Sequence, residues 1–459
     1  MSNTLRVFGE TYTGVNGIKA YTPNLDIVLF PPIMDDPIRF FDYDGTLVAS
    51  YSTVPESLPS VPSHSGLTNG TWNYTLSQIT TQFNAMGTCD VGANYDTASG
   101  ATEIDIILQP ERLHPYLSLA VNGTVTIDWG DNSTSTSSGT SLITRKSDIH
   151  HEYAAAGSYT IKISKTSGTG YSLYCTSTYL LLNKQASSGT ANRVYANCVQ
   201  NVRVGNDCSI GNNAFYNCYS LASVTIPSDV TSIGSSAFGS CYALASVTIP
   251  SGMASIDTNV FSNCYSLASI SIPSSITSIG TGAFYTCYSL ASISIPHGVT
   301  SIGISAFNCC YSLASVNIPS GVTSIGNNTF YNCQSLVSVN IPSGVTSIGT
   351  AAFYQCYSLA SVTIPSGVTN IDSSMFMYCY SLASVTIPSG VTSIAAQAFY
   401  NCYGMAEYHI KPTTPPTLEN ADAFTNIQSD CKIYVPASKL TDYQSAENWS
   451  TYASYMVGE

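Results

Sequence analysis

One cysteine returns every 23 residues: Cys218, Cys241, Cys264, Cys287, Cys310, Cys333, Cys356, Cys379 and Cys402 share a single phase. A period of about 20 to 50 residues marks a solenoid, because one such unit cannot bury its own apolar face and must stack on its neighbours. The repeat therefore constrains shape far more than chemistry.

The unit reads C-Y-S-L-A-S-V-T-I-P-S-G-V-T-S-I-G-x-x-A-F-x-x, and its apolar positions return with the cysteines. In the unit from Cys218 they are Leu221, Val224, Ile226, Val230, Ile233 and Phe238. The first three end in the in-and-out alternation of a short half-buried strand. Proline closes that strand at Pro227 and recurs in phase through Pro388, marking one corner. Gly234, Gly280, Gly303, Gly326 and Gly349 mark a second, where Asp257 and Asp372 also stand as residues that tolerate turn geometry. The ladder cysteines are expected as stacked free thiols. Neighbours lie about 4.8 Å apart, one strand spacing, an odd-numbered ladder cannot pair completely, and cysteine is among the most buried residue types. One thiol per rung also gives a line, not the tetrahedral convergence zinc prefers, so no metal or cofactor is expected.

This pattern resembles the BspA-like leucine-rich repeats, whose units read I-P-x-x-V-T-x-I-G-x-x-A-F-x-x-C-x-x-L. The resemblance covers about residues 189–410 and implies a curved right-handed solenoid. Cys431 to Pro436, followed by Tyr443, Glu447, Asn448 and Trp449, is similar to the cap that ends such arrays, so 411–459 is expected to cover the last rung.

The net charge is −13, and no Lys or Arg occurs between Arg203 and Lys411. A solenoid without cations cannot neutralise phosphates, which argues against nucleic-acid binding. Apolar runs fall far short of the roughly 20 residues that span a bilayer, and the first ten residues lack the apolar core of a secretory signal. A soluble chain without a Sec signal peptide, and without membrane insertion, is expected.

Upstream, Thr124 to Asn132 (T-V-T-I-D-W-G-D-N) is followed by His151-Glu152-Tyr153, Gly157 and Tyr159 to Ile163. This is similar to PKD-type domains, with Asn132 in place of the last glycine of their W-G-D-G strand. The resemblance implies a spacing β-sandwich over 102–188. Residues 36–101 form a smaller β-rich module containing Phe41-Asp42-Tyr43-Asp44-Gly45-Thr46-Leu47, which mimics the first motif of the haloacid dehalogenases, with Asp42 as nucleophile and Asp44 as acid. That chemistry needs a parallel sheet, and residues 48–101 are rich in Ser, Thr, Pro and Gly with no alternation of strands and helices. A hairpin turning at Asp44-Gly45 is expected instead. Residues 3–10 and 14–20 resemble the N-termini of structural proteins in phages and prophages of gut Firmicutes. Residues 41–47, 62–67 and 72–76 resemble a module preceding repeat domains in such appendages. Residues 1–35 are therefore expected to attach the chain to other virion proteins. The expected fold class is mainly β: a leucine-rich-repeat solenoid preceded by a PKD/Ig-like β-sandwich and a small β-rich module.

Two rows on the solenoid are candidate ligand-binding surfaces. Outward on the strands stand Ser223, Thr225, Ser246, Thr248, Ser269, Ser271, Ser292, Ser294, Ser315, Asn317, Ser338, Asn340, Ser361, Thr363, Ser384 and Thr386. They would give a small, neutral, hydroxylated concave face for a host protein or glycan, or simply a solvated strand row with Ser/Thr hydrogen bonds along it. After each cysteine come Tyr219, Tyr242, Tyr265, Tyr288, Tyr311, Tyr357, Tyr380 and Tyr403, broken only by Gln334. Tyrosine suits recognition, and it equally suits a ladder that shields backbone corners. The six histidines show no metal-ligand spacing and no carboxylate pair suited to acid/base work is apparent, so no catalytic residue is assigned. The expected function is a non-enzymatic fibre or other appendage on the virion exterior, homo-oligomeric as fibres often are, adhering to a host-cell surface protein or glycan. The alternative is a bacterial BspA-like cell-surface adhesin.

Overall fold

Each 23-residue unit folds as one turn of a parallel β-coil. Strands Ser246–Thr248 and Ser269–Ser271 pair in register one unit apart, as do Ser315–Asn317 and Ser338–Asn340. A second strip is made by two-residue strands such as Ser278–Ile279 and Ser301–Ile302. This is the solenoid expected from the period, in the mainly β leucine-rich-repeat form that the resemblance implied. The computed structural model describes residues 4–7, 10–13, 36–110, 112–146, 149–175, 181–182 and 197–459.

After the second strip the backbone turns through two left-handed residues per rung. Asn213, Ser236, Asn259, Ser305, Asn328, Ala351, Ser374 and Gln397 hold φ of 53 to 59°, and Asn217, Ser240, Asn263, Thr286, Cys309, Asn332, Gln355, Tyr378 and Asn401 hold 57 to 64°. Asn tolerates this region, whereas a β-branched residue there is strained. Replacing Thr286, at φ 61°, by the Asn that occupies the same phase at 217, 263, 332 and 401 is expected to add about 0.5–1 kcal/mol. Thermal denaturation checks it: an unchanged or lower melting temperature would show that Thr286 is not strained.

The glycines of the second corner stand there for a different reason than turn geometry. They lack the left-handed φ, but a Cβ on Gly234 would lie 2.4 Å from the Asn212 amide nitrogen, and one on Gly303 2.5 Å from that of Thr281. Glycine lets the preceding rung approach.

The core is layered by residue type. Phe215, Phe238, Phe261, Phe284, Phe307, Phe330, Phe353, Phe376, Phe399 and Phe424 are buried and stack nearly parallel from end to end, with centroids 5.5–5.6 Å apart around Phe307. Every ladder cysteine from Cys241 donates its S–H to the carbonyl of the phenylalanine one rung back, as in Cys264 to Phe238, Cys287 to Phe261 and Cys333 to Phe307, each at 3.2 Å. Cysteine is thus a small apolar filler that also satisfies a buried carbonyl. All 15 cysteines are free thiols. Burial raises the ladder thiols, Cys402 to about 12 and Cys287 well above its ordinary value. Native protein at pH 8 is therefore expected to leave the ladder unlabelled by iodoacetamide, with half-buried Cys309 modified first. Mass spectrometry of a labelling time course checks this, and early modification of Cys287 or Cys310 would contradict it.

The chain divides into Met1–Asp35 and Asp36–Glu459. In the first, strands β1 (Thr4–Val7) and β2 (Glu10–Thr13) form an antiparallel hairpin. The rest of the expected attachment segment lies outside the described residues. In the second, β3 (Ile38–Phe41), β4 (Leu47–Tyr51), β5 (Leu67–Trp72), α1 (Leu76–Met86) and β6 (Cys89–Thr97) make a small module. Its sheet order is β4-β3-β6-β5. Two of its features depart from the sequence expectation. β3 and β6 pair in parallel, and α1 begins with a capping box in which the Thr75 side chain accepts from the Gln78 N–H while the Gln78 side chain accepts from the Thr75 N–H.

Strands β7 (Thr102–Leu108), β8 (Leu119–Asp128), β9 (Thr134–Lys146) and β10 (Gly157–Leu173) follow. From sequence this stretch stands apart as a spacer, yet here it continues into the array. β7 pairs with β11 (Val199–Arg203), which pairs with the first full rung. The far half of β10 pairs with β12 (Cys208–Ile210). One apolar core runs unbroken from Ile104 to Met456. Arg203 ties the joint, donating to Glu103 and, through two nitrogens, to Asp105, each at 2.9 Å. The expected boundary at 188/189 lies outside the described residues. At the other end Lys432–Val435 and Met456–Gly458 extend the ladder. Buried Trp449, Tyr443 and Tyr452 close over Phe424, Trp449 donating to the Pro416 carbonyl at 2.7 Å.

Candidate functional site: the outward Ser/Thr strip

The sixteen strip residues do not share one environment. Thr225, Ser246, Thr248, Ser271 and Ser294 are buried, which corrects the expectation of a uniformly open surface. Ser223, Ser269, Ser292 and Asn317 are half-buried, while Ser315, Ser338, Asn340, Ser361, Thr363, Ser384 and Thr386 are exposed. The cause is the 36–101 module, which roofs the early rungs.

The roof is held by polar contacts spanning some 200 residues of chain. Ser246 donates to the Tyr43 carbonyl at 3.2 Å, Ser271 to that of Asp90 at 2.8 Å, and Ser294 to that of Thr88 at 3.4 Å. The Asn317 amide donates to the Met86 carbonyl at 2.7 Å. In return Asn73, Tyr74 and Gln82 donate to the carbonyls of Ile249, Ile272 and Ile295 at 3.3, 2.7 and 3.0 Å. Arg39 grips Asp90 through two hydrogen bonds and reaches Ser292 at 3.1 Å. Burial pushes the Asp90 carboxyl up, while the charge and hydrogen bonds of Arg39 draw it back. A close backbone approach completes the seat: a Cβ on Gly92 would fall 2.5 Å from the Thr248 hydroxyl. Sequence alone did not single out Arg39, Asn73, Tyr74 or Gln82, since their partners are far along the chain.

The tyrosine row places its ring faces against one another. Tyr219, Tyr242, Tyr265, Tyr288 and Tyr311 stack successively at 4.4–4.8 Å. Beyond Gln334, Tyr357, Tyr380 and Tyr403 stack again at 4.9 and 5.6 Å. Tyr380 and Tyr403 are the most open. A second aromatic group missed from sequence, Tyr331, Tyr354, Tyr378 and Tyr400, lies beside them.

The Asp42 segment makes the expected hairpin turn, with Gly45 at φ 85° and its N–H bonded to the Asp42 carbonyl at 3.0 Å. Asp42 is buried with both oxygens engaged, one by the Tyr95 hydroxyl at 2.8 Å and the Tyr43 N–H at 2.8 Å, the other by His64 at 2.7 Å. Asp44 accepts the Thr46 N–H at 2.9 Å. Among the described residues no group of three His, Cys, Asp or Glu could hold a metal ion. No described helix is long and apolar enough to cross a membrane. The Trp-Gly-Asp motif is likewise architectural: His151 meets Asp131 at 2.7 Å and stacks on Trp129, whose carbonyl takes the Tyr153 hydroxyl at 2.8 Å.

A coil of in-register units with stacked phenylalanines, covered at both ends, defines a leucine-rich-repeat solenoid. The BspA type leucine rich repeat region matches residues 208–336 and 301–429, and through this stretch the chain belongs to the BspA-type leucine-rich-repeat family. Similar solved structures include a T. pallidum leucine-rich repeat protein, 35% identical over 35% of this chain and 78% of that one, with a TM-score of 0.33. Another is a leucine-rich repeat protein from Bacteroides ovatus, 24% identical over 60% and 79%, with a TM-score of 0.41. A third is a leucine-rich cell surface protein from Faecalibacterium prausnitzii, 26% identical over 74% and 98%, with a TM-score of 0.40. No curated protein matches the chain.

Proposed function

We propose that this chain is a non-enzymatic adhesion protein, an appendage on the virion exterior whose solenoid touches a host-cell surface protein or glycan. The observation that carries adhesion is the division of the strip: its first rungs are covered by the chain's own module, while Ser338 to Thr386 present an uncharged hydrogen-bonding face to solvent. The resemblances of residues 3–20 and 41–76 support a particle setting, with residues 1–35 meeting other virion proteins and the PKD-like stretch 102–188 as a spacer joined directly to the array. Fibre symmetry supports a homo-oligomer. A bacterial cell-surface adhesin is the second reading, favoured by the repeat match over residues 208–429, which is longer than the N-terminal resemblances.

Immunogold labelling separates the two. Label on the outside of purified particles is expected, and label on intact bacterial cells with none on particles would overturn the virion setting in favour of the second reading. Because both carboxylates of the Asp42 turn hold the turn and its neighbours, wild type and Asp42→Ala are expected to show the same background phosphatase turnover. A turnover that the substitution abolishes would restore an enzymatic role.

A further inference from the structure

We propose that the strip reads the main-chain carbonyls of a polypeptide, and that its open rungs take such a segment from another protein. This rests on the adhesive role proposed above and names the class of ligand for the same surface.

The roof shows what the strip binds. On three consecutive rungs, Ser271, Ser294 and Asn317 each donate to one carbonyl of alternate residues, Asp90, Thr88 and Met86. On three consecutive rungs, the carbonyls of Ile249, Ile272 and Ile295, each just before the phased proline, accept from one roof side chain apiece. The solenoid thus offers two parallel rows at the rung spacing of about 4.8 Å, one of side-chain donors and one of backbone acceptors, and a polypeptide fills both.

Both rows continue past the roof. Asn340, Thr363 and Thr386 repeat the phase of Ser271, Ser294 and Asn317, and all three are exposed. Asn340 already donates to the Asn317 side-chain oxygen at 2.8 Å, which aligns it with the occupied part of the row. Ile341 and Ile364 repeat the phase of Ile272 and Ile295. Two further observations favour protein over sugar. The strip carries no aromatic platform, because the tyrosines lie in a separate ladder with their faces stacked on one another. The whole stretch from 204 to 410 also lacks Lys and Arg, so it offers no countercharge to a sulfated, phosphorylated or sialylated chain. An uncharged segment whose alternate carbonyls fall at the rung spacing fits the open rungs as Met86 to Asp90 fits the covered ones, where the chain leaves α1 through left-handed Gly87 at φ 75° before entering β6.

The test uses the full chain and a variant carrying Asn340→Ala, Thr363→Val and Thr386→Val. These exposed sites are expected to leave thermal unfolding unchanged, and Asn340→Ala alone serves as a second variant if the triple is less stable. A displayed library of random dodecapeptides is selected on wild type, and the winners are titrated on both proteins. The expected result is peptides whose affinity falls at least roughly tenfold on the triple variant, and also falls when alternate amides are replaced by esters, which weakens the carbonyl as an acceptor. Failure to select any peptide, indifference to the triple variant, or a glycan array on which binding is lost with the triple variant would each overturn the inference. Adhesion of the labelled chain to host cells is measured in parallel. Adhesion lost in the triple variant without peptide binding sinks only the ligand class, whereas absence of adhesion by wild type sinks the function beneath it.

Discussion

Phe307→Ala is expected to lower the stability of the solenoid by about 3 to 5 kcal/mol. Phe307 is fully buried and packs face on between Phe284 at 5.5 Å and Phe330 at 5.6 Å. Removing it opens a cavity in the middle of a ladder that cannot collapse, because the rungs above and below are fixed by their own backbone bonds. The Phe307 N–H bonds to the Thr329 carbonyl at 3.0 Å, and that of Phe284 to the Ala306 carbonyl at 2.9 Å. In a solenoid stability is nearly a sum of unit and nearest-neighbour terms, so the loss weakens two interfaces and leaves distant rungs intact. Denaturant unfolding checks the size, and a change under about 1 kcal/mol would contradict the packing. Hydrogen exchange checks the location, with protection expected to fall around residues 284–330 before it falls near either cap.

What was readable in the sequence follows from how each feature is encoded. The rungs were readable because burial repeats: Leu221, Val224, Ile226 and Phe238 mean little alone and a great deal in nine phased copies. The C-terminal cap was readable because Tyr443 and Trp449 follow directly on the last unit. The corner glycines were located correctly but the reason for them was not readable, since turn position is a property of sequence while a 2.4 Å approach to Asn212 belongs to the neighbouring rung. Helix α1 was missed although Thr75 and Gln78 spell a capping box, because the Ser/Thr-rich surroundings weigh toward a loop. The roof carried no local signal at all. Asn73 meets its partner at Ser271 and Gln82 meets Ser294, and pairings that far apart leave no period to detect. The outward face of the strip was therefore identified, but not its division into a covered part and an open one.

Tyr74→Ala is expected to unfold the roof and leave the array standing. Tyr74 is buried in a core of six residues, with Ile38, Phe40, Ile79, Cys89 and Val91, and its hydroxyl donates to the Ile272 carbonyl at 2.7 Å. Burial raises that hydroxyl well above its ordinary range, so it remains a neutral donor through physiological pH. Truncating a buried aromatic costs about 3 to 5 kcal/mol, a large share for so small a core, whereas the solenoid keeps its separate apolar column from Ile104 to Met456. Tyr74→Phe removes only the bond to Ile272 and is expected to cost about 1 to 3 kcal/mol, the penalty for an unpaired buried carbonyl. Hydrogen exchange distinguishes the outcomes: amides of β3 and β6 lose protection in Tyr74→Ala while the ladder amide of Phe307 keeps its own. Simultaneous loss in both regions would mean that roof and array fold as one cooperative body. Loss in the roof alone would also uncover Ser246, Thr248, Ser271 and Ser294, extending the hydrogen-bonding strip. Binding of peptides selected on the open rungs would then strengthen in Tyr74→Ala, because the donors that held Met86 to Asp90 become available to them.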